Sequence, residues 1–198
     1  DTIIELYTQR LPNYYKVNPV TDIQILSPMK RGILGTDNLN RILQASVNKN
    51  SLSLTYNAIE YKLKDKVMQI KNNYDKDIFN GDIGIISSIN KYENFLEVNF
   101  DSKIVKYNIS ELNEITLAYA CTIHKSQGGE YPIIIIPLDK SHHIMLERNL
   151  LYTAITRAKK VCVLIGRKEC IINAVKSSRS KLRYTTFSNR LKQQFQTF

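Results

Sequence analysis

Polar side chains are concentrated in one short segment of the chain, TIHKSQGGE, which spans 122–130. Its first half supplies two hydroxyls, an imidazole and an ammonium group: Thr122, Ser126, His124 and Lys125. Such groups commonly contact phosphate oxygens. Its second half combines two glycines, which let a backbone approach a ligand closely, with Glu130, whose carboxylate only accepts hydrogen bonds. The segment therefore predicts a loop that binds phosphate and a sugar hydroxyl.

A purely structural interpretation of the same segment is also open. Thr122 could cap a helical turn that Gly128 ends, because threonine is a good N-cap and glycine a good terminator. His124 taken alone fits a structural hydrogen bond as well as a catalytic role.

A second segment with chemical potential is NLLYTAITRAKK, which spans 149–160. Arg157 follows Thr153 by four residues, so both would lie on one face of a predicted helix. An arginine near the end of an otherwise apolar helix either extends to solvent or reaches a fixed anion. Composition alone does not decide between the two.

The chain around these segments alternates between strand and helix patterns. Apolar runs without polar alternation predict buried strands: DIQILSPM (22–29), ITLAYA (115–120), YPIIIIPL (131–138) and VCVLIG (161–166). Helices are predicted over about 36–49, 145–160 and 167–177. The fold class is therefore α/β, a parallel sheet with helices on both faces. Ligands meet such sheets at the carboxyl ends of the strands, where we expect the segment after ITLAYA to lie.

The pattern changes in the middle of the chain. Short strands joined by tight turns read DKVMQIKN, GDIGIISSIN, FLEVNFD and KIVKYNIS. They predict a small SH3-like antiparallel β-barrel over 61–112. The barrel interrupts one discontinuous α/β domain, formed by 1–60 and 113–198.

Composition narrows the class of protein. The net charge of +10 and the pI of about 9.4 favour a polyanionic partner, although the Lys-rich, Asn-rich composition of an AT-rich genome explains them equally well. Three cysteines without a C-x-x-C spacing indicate reduced thiols and a cytoplasmic protein. His142-His143 lacks further ligands nearby, so no metal site is predicted. The basic tail, Lys176 to Lys192, adds phosphate attraction or is simply solvated.

The two ends of the chain and its apolar runs add further expectations. No apolar run reaches the roughly 20 residues of a membrane span. The chain begins at Asp1 with neither an initiator methionine nor a signal peptide, so we expect it to be part of a longer protein.

Taken together, these segments resemble a known family. TIHKSQGGEYP resembles motif V of the superfamily 1 helicases, and LLYTAITRAKK resembles motif VI. ILSPMKRGILGTDNLN is similar to the motif IV region of the RecD-like group, which includes the exodeoxyribonuclease V alpha subunit. An SH3-like insertion is also a feature of that group. The resemblance covers about 22–167.

The resemblance implies a role for each matching residue. The chain would be the second of two RecA-like motor domains, with ATP and Mg²⁺ held mainly by the first domain. Arg157 would be the arginine finger that reaches the γ-phosphate. The other nucleotide contacts would be Gln127, Gly129, Glu130 (to the ribose) and Arg31, although Arg31 could equally face a DNA phosphate. The DNA contacts would be Thr122, His124, Lys125 and Ser126.

The function implied by the resemblance is the C-terminal motor half of an ATP-dependent DNA helicase that moves 5′ to 3′. Its partners would be single-stranded DNA, the N-terminal RecA-like domain and, in one version, the subunits of a nuclease complex. The chain has no G-x-x-x-x-G-K-[ST] and no Asp-Glu pair after a buried strand, so alone it should not hydrolyse ATP. Two alternatives stay open: a non-hydrolysing nucleic-acid-binding module with a RecA-like fold, and part of a conjugative relaxase-helicase.

Overall fold

A computed structural model describes residues 1–101, 103–142 and 145–177. The helices are α1 (Thr2–Glu5), α2 (Leu11–Tyr15), α3 (Pro19–Asp22), α4 (Thr36–Val47), α5 (Arg148–Ile155) and α6 (Lys168–Lys176), with a wider π-helical turn at Leu6–Arg10. The strands are β1 (Ile23–Ser27), β2 (Ser53–Tyr56), β3 (Ile59–Lys62), β4 (Lys66–Gln69), β5 (Ile83–Asn90), β6 (Phe95–Phe100), β7 (Lys103–Asn108), β8 (Ile115–Leu117), β9 (Ala120–Thr122), β10 (Tyr131–Leu138) and β11 (Ala158–Gly166). His143 and the predicted basic tail beyond residue 177 lie outside the described residues.

A parallel sheet organises the α/β part of the molecule, as predicted. Its strand order is β11-β10-β1-β9, and every neighbouring pair is parallel. The run Ile133–Ile136 forms the middle of β10 and is buried throughout. The lack of polar alternation in that run follows from burial on both faces.

Helices cover both faces of this sheet, which confirms the predicted fold class. On one face, Ile133 and Ile135 belong to a core that includes Leu39 and Leu43 of α4. On the other face, the alternate residues of β10 pack with α5 and α6 through a second core. Successive strand residues point to opposite faces, so one strand supplies both cores.

A second sheet, entirely antiparallel, forms the predicted insertion. Its strand order is β7-β6-β5-β4-β8, and a separate hairpin of β2 and β3 precedes it. β8 lies beyond the predicted limit of the insertion at residue 112, and it pairs with β4. The antiparallel sheet therefore continues to Leu117.

The segment ITLAYA was predicted as one strand, and this prediction is wrong. Ile115–Leu117 pairs with β4 in the antiparallel sheet, whereas β9 pairs with β1 in the parallel sheet. At the crossing, Asn40 of α4 donates to the carbonyls of Leu117 and Ala120 at 3.0 and 2.9 Å, and accepts from the Ala120 amide at 2.8 Å. The side chain of Asn40 thereby replaces the missing strand partner.

A buried carboxylate ties the two parts of the molecule together. Asp65, just before β4, accepts hydrogen bonds from Asn48 at 2.6 Å and from the Tyr119 hydroxyl at 2.8 Å. Its other oxygen accepts from Gln44 at 2.5 Å and from the Lys62 amide at 2.7 Å. Burial raises the pKa of the Asp65 carboxyl, although the four donors oppose that shift. The network joins α4, the β3–β4 turn and the crossing segment.

Candidate functional site

The polar loop between β9 and β10 runs from one edge of the parallel sheet to the other. At its start, Thr122 is level with Ser27, the last residue of β1. At its end, Tyr131 lies two residues before Ile133, which is level with Ile23, the first residue of β1. The loop therefore leaves the carboxyl edge and arrives at the amino edge. The prediction that the whole segment lies at the carboxyl edge is wrong for its second half, because β10 must begin again at the amino edge.

The first half of the loop is a capped 3₁₀ turn at the carboxyl edge. Thr122 accepts a hydrogen bond from the Lys125 amide at 3.4 Å, so the structural interpretation of Thr122 as a cap is correct. Gly128 has a φ of +86°, which glycine adopts without strain. The hydrogen bond from the Lys125 amide uses the Thr122 hydroxyl only as an acceptor. The hydroxyl proton can therefore still be donated to a ligand.

The side chains of this turn differ in accessibility. His124 and Lys125 are exposed. Ser126 is 1% exposed, and its hydroxyl donates to the Ile123 carbonyl at 2.7 Å. Direct contact of Ser126 with a ligand would require that hydrogen bond to open, whereas His124 and Lys125 are available as they stand.

Two loops bring cations together at the carboxyl edge. Partial burial lowers the pKa of the Lys125 ammonium, and the charge of Lys30 lowers it further. Lys30 and Arg31 lie in the loop between β1 and α4, and Arg31 is exposed. Because β1 and β9 are adjacent, this loop and the Lys125 turn leave the sheet side by side. Repelling cations held together indicate a surface that suits an anion.

Ser27 and Gly35 fix the loop that carries Lys30 and Arg31. The buried Ser27 hydroxyl donates to the Leu34 carbonyl at 2.7 Å and accepts from the Met29 amide at 3.2 Å. At Gly35, a Cβ atom would lie 2.4 Å from the backbone of Arg31, so only glycine fits there. Sequence reasoning missed both residues, although both lie in the segment ILSPMKRGILGTDNLN.

Arg157 lies at the opposite, amino edge. It was predicted within a helix that reaches Lys160, but α5 ends at Ile155 and β11 starts at Ala158. Arg157 therefore occupies the tight connection between them, where its carbonyl accepts from the Tyr131 amide at 2.9 Å. This correction moves Arg157 out of the helix and into a connection at the amino edge of the sheet.

The guanidinium of Arg157 is only partly satisfied. It donates to the carbonyls of Thr153 and Gly129 at 3.3 and 3.2 Å and to the Thr156 hydroxyl at 3.4 Å. Arginine has five N–H groups, so two make no hydrogen bond within the described residues. The long distances and the free donors leave Arg157 able to bind an additional anion.

The other residues predicted to face a nucleotide are divided between two places. Gly129 and Glu130 lie beside Arg157, and Glu130 is 3.6 Å from Lys159 in an exposed ion pair. Gln127 instead lines a groove of about 340 Å³ with His124 and Thr153, against α5. Arg31 is at the carboxyl edge with Lys30, so the structure separates it from Arg157.

A buried lysine was not predicted as a site residue. Lys66 of β4 is 2% exposed; its ammonium donates to the Ile23 carbonyl at 3.3 Å and lies 5.8 Å from the centre of the Tyr131 ring. Burial lowers the pKa of Lys66 to about 8. It lines a cleft of about 520 Å³ between the two sheets, with Glu130 at the same cleft. The sequence did contain a signal for this site, because a charged residue begins the otherwise uncharged strand KVMQ (66–69).

Two negative findings apply to the residues that the structure describes. Among them, no three His, Cys, Asp or Glu side chains are grouped so that they could hold a metal ion. None of their helices has the length and hydrophobicity needed to cross a membrane.

Comparison with known proteins identifies two helicase domain families that match parts of this chain. The family model of the SH3 domain of ATP-dependent RecD-like DNA helicases matches residues 39–100. The model of the UvrD-like helicase C-terminal domain matches residues 117–165, which contain both the polar loop and Arg157. The first match begins within α4, ahead of the antiparallel sheet.

Individual relatives agree with the family models. The ATP-dependent RecD2 DNA helicase of Deinococcus radiodurans is 39% identical over 137 residues, covering 69% of this chain and 19% of that protein. The RecBCD enzyme subunit RecD of Buchnera aphidicola (subspecies Acyrthosiphon pisum) is 31% identical over 166 residues, covering 80% of this chain and 27% of that protein. The chain thus spans about a fifth to a quarter of these relatives' length.

A solved structure agrees at the level of the fold. The Pif1 helicase from Bacteroides, in complex with ADP-AlF3 and ssDNA, superposes with a TM-score of 0.56 at 18% identity, over 98% of this chain and 48% of that one. Fold, polar loop and arginine together define a C-terminal region of the superfamily 1 helicases. Within that class, the SH3-like insertion and the curated relatives place the chain in the RecD-like family.

Proposed function

We propose that this chain is the second motor domain of an ATP-dependent DNA helicase that moves 5′ to 3′ along single-stranded DNA. Residues 1–60 and 113–198 would form the RecA-like domain, and 61–112 would form most of the insertion. The observation that carries the proposal is the path of the loop from Thr122 to Tyr131. It connects a cationic surface at one edge of the sheet with a partly satisfied arginine at the other.

At the amino edge, Arg157 would contact the γ-phosphate of ATP bound by the first motor domain. The two N–H groups of Arg157 that have no partner among the described residues suit the charge-assisted bonds that a phosphoryl group accepts in the transition state. Glu130, exposed beside it, would accept from a ribose hydroxyl after exchanging its ion pair with Lys159. ATP, with Mg²⁺, would supply the free energy of movement, and the first domain would hold both.

At the carboxyl edge, Lys125 and Lys30 would contact the phosphates of single-stranded DNA. Thr122 and His124 can add hydrogen bonds from the same turn, and Ser126 would support the turn from beneath. The position of Arg31 next to Lys30 favours the strand over the nucleotide. These side chains contact the backbone and therefore read no base sequence.

The loop would couple the two sites. A nucleotide that draws Arg157 toward the first domain also pulls on Gly129, because the two are hydrogen-bonded. The backbone between Gly129 and Lys125 is short and contains Gly128, whose φ of +86° glycine adopts without strain. Movement at the amino edge would then displace the phosphate-binding turn, and Gln127 lies between the two.

The experiment is a fluorescence anisotropy titration of the protein with single-stranded and duplex DNA of equal length, over a series of salt concentrations. The variants are Lys125→Ala and, as a control of equal charge, Lys91→Ala in the exposed β5–β6 turn. We expect tighter binding to single strands. Lys125→Ala should reduce the dependence of log K on log salt by about 0.7, the value for one phosphate contact on a single strand.

Two results would contradict the proposal. Equal affinity for single strands and duplexes would favour a nonspecific basic protein. A salt dependence that falls equally in Lys125→Ala and Lys91→Ala would show that net charge, and not the turn, binds DNA.

A further inference from the structure

Two aromatic side chains project from the loop that joins β4 to β5 in the insertion. Tyr74 is 76% exposed and Phe79 is 43% exposed. Their ring centroids are 6.0 Å apart with an angle of 77° between the planes, which is an edge-to-face pair. Ile78, which directly precedes Phe79, is buried in the hydrophobic core instead. Within the described part of the chain the two rings contact each other and still present apolar surface to water.

Several hydrogen bonds hold the loop that carries this pair. Asn73 and Ile78 form an antiparallel bridge, with N–H to carbonyl distances of 2.8 and 3.0 Å. The Phe79 amide donates to the Asp82 carboxylate at 2.8 Å. Asn73 also donates to Glu114 at 3.0 Å, which fastens the loop to the end of the insertion. Because these bonds hold the backbone, a ligand that contacts the rings orders only two side-chain torsions per ring.

The same loop lies against the proposed phosphate-binding turn. Gly81 follows Phe79 by two residues, and a Cβ atom on it would lie 4.0 Å from the Lys125 carbonyl. A strand bound at this turn would therefore pass close to the loop that carries the aromatic pair.

The charge of the loop does not favour a second phosphate site. Residues 71–82 contain Lys71 and Lys76 but also Asp75, Asp77 and Asp82, for a net charge of −1. Lys76 is engaged with Glu111 at 2.7 Å. The loop thus offers π-faces without a cationic field, which suits an uncharged base better than a phosphate.

We propose that Tyr74 and Phe79 form a stacking platform for an unpaired base of the DNA strand bound at Lys125. This rests on the proposed function, because the strand must already lie at the carboxyl edge. Stacking on an aromatic ring tolerates any base, so the platform adds affinity without sequence preference. Proline-rich peptides also bind aromatic surfaces, but the contact between this loop and the Lys125 turn favours the nucleic acid.

The test is anisotropy with fluorescein-labelled oligothymidine and with an abasic strand of equal length. The variants are Tyr74→Ala with Phe79→Ala, the ring-retaining Tyr74→Phe, and Tyr92→Ala, which removes a 100% exposed ring from a different turn. We expect the double variant to bind oligothymidine roughly tenfold more weakly and the abasic strand unchanged. The slope against salt should not change, whereas Lys125→Ala should alter it. Tyr74→Phe and Tyr92→Ala should resemble the parent protein.

The outcomes separate the two proposals. If the parent protein bound single-stranded and duplex DNA with equal affinity, the proposed function itself would be overturned. Normal binding by the parent, with an equal loss on oligothymidine and abasic strands in the double variant, would overturn the platform alone. The platform would also be overturned if the double variant kept its DNA affinity but no longer bound a labelled oligoproline peptide. That result would assign the pair to a protein partner.

Discussion

Arg157 and Gly129 are joined by a hydrogen bond in which the guanidinium Nη1 donates to the Gly129 carbonyl at 3.2 Å. The bond links the end of the polar loop to the connection between α5 and β11. It holds the arginine in place, but it is long and leaves other donors free, so an incoming anion can compete for the side chain.

Replacement of Arg157 should affect hydrolysis and spare DNA binding. In a polypeptide that carries both motor domains, we expect Arg157→Ala to lower kcat for ATP by about 10³–10⁵. Arg157→Lys should recover only a small part, because a single ammonium cannot reproduce the planar, forked donors. Steady-state ATPase assays and strand-binding titrations measure the two effects.

Arg10→Ala is the matched control, since Arg10 is an exposed arginine in the π-helical turn at Leu6–Arg10, outside both segments of the proposed site. It should leave both measurements unchanged. A fall in DNA affinity as large as the fall in kcat would assign Arg157 to the strand and contradict its role as an arginine finger.

Lys66 should make stability depend on pH in the alkaline range. Its pKa is about 8 in the folded protein and 10.5 as the ordinary value. Between these values the unfolded chain binds more protons than the folded chain, so the free energy of unfolding rises with pH. The cost of the buried charge is fully present below pH 8 and is relieved toward pH 10. This cost is about 3 kcal/mol, because the folded and ordinary pKa values of Lys66 are about 8 and 10.5 and each pKa unit corresponds to about 1.36 kcal/mol.

The variant Lys66→Met should remove this dependence. Urea unfolding at pH 7 and at pH 9.5 gives the two free energies for each protein. We expect the parent to gain stability relative to Lys66→Met as the pH rises, and the variant to be the more stable at pH 7. A difference between the two proteins that does not vary with pH would show that the ammonium is already solvated in the cleft.

Asp65 should be important for stability because four donors converge on it. Asp65→Asn replaces one acceptor oxygen with an NH₂ group, which must face donors from Gln44 or Asn48. We expect the free energy of unfolding to fall by about 3 kcal/mol, as for other buried groups left without partners. Tyr119→Phe, which removes one donor, should cost about 1 kcal/mol.

Urea denaturation of Asp75→Asn provides the comparison, because Asp75 is exposed. That variant should unfold at the same urea concentration as the parent protein. If Asp65→Asn did so as well, the network would contribute nothing to holding the two sheets together.

Local patterns were sufficient for the presence of the parallel sheet and for the start of the polar loop at its carboxyl edge. The buried run Ile133–Ile136 shows no alternation, which identifies a strand covered on both faces. The end of α5 was not predictable in this way, because Thr156 to Lys160 continues with residues that suit a helix. The helix ends there because Ala158 pairs with Tyr131 in the parallel sheet. This contact joins segments that are far apart in the sequence.

The division of ITLAYA between two sheets could not be predicted for the same reason. It depends on hydrogen bonds from Asn40 to Leu117, which are 77 residues apart, and from Gln24 to Ala118, which are 94 residues apart. The Asp65 network likewise joins residues whose polarity would ordinarily indicate a surface. Motifs identified the loop and the arginine, but only the three-dimensional arrangement separated Arg31 from Arg157.

The crossing between β8 and β9 bears on how such proteins can be recombined. An insertion joined by two free linkers could be exchanged between relatives as a cassette. Here the exit strand of the insertion runs directly into the motor sheet, and Asn40, Gln44 and Asn48 of α4 and its C-cap hold its last residues and the Asp65 network. A working chimaera would have to transplant α4 together with the antiparallel sheet, so α4 and the insertion are expected to be inherited as one unit.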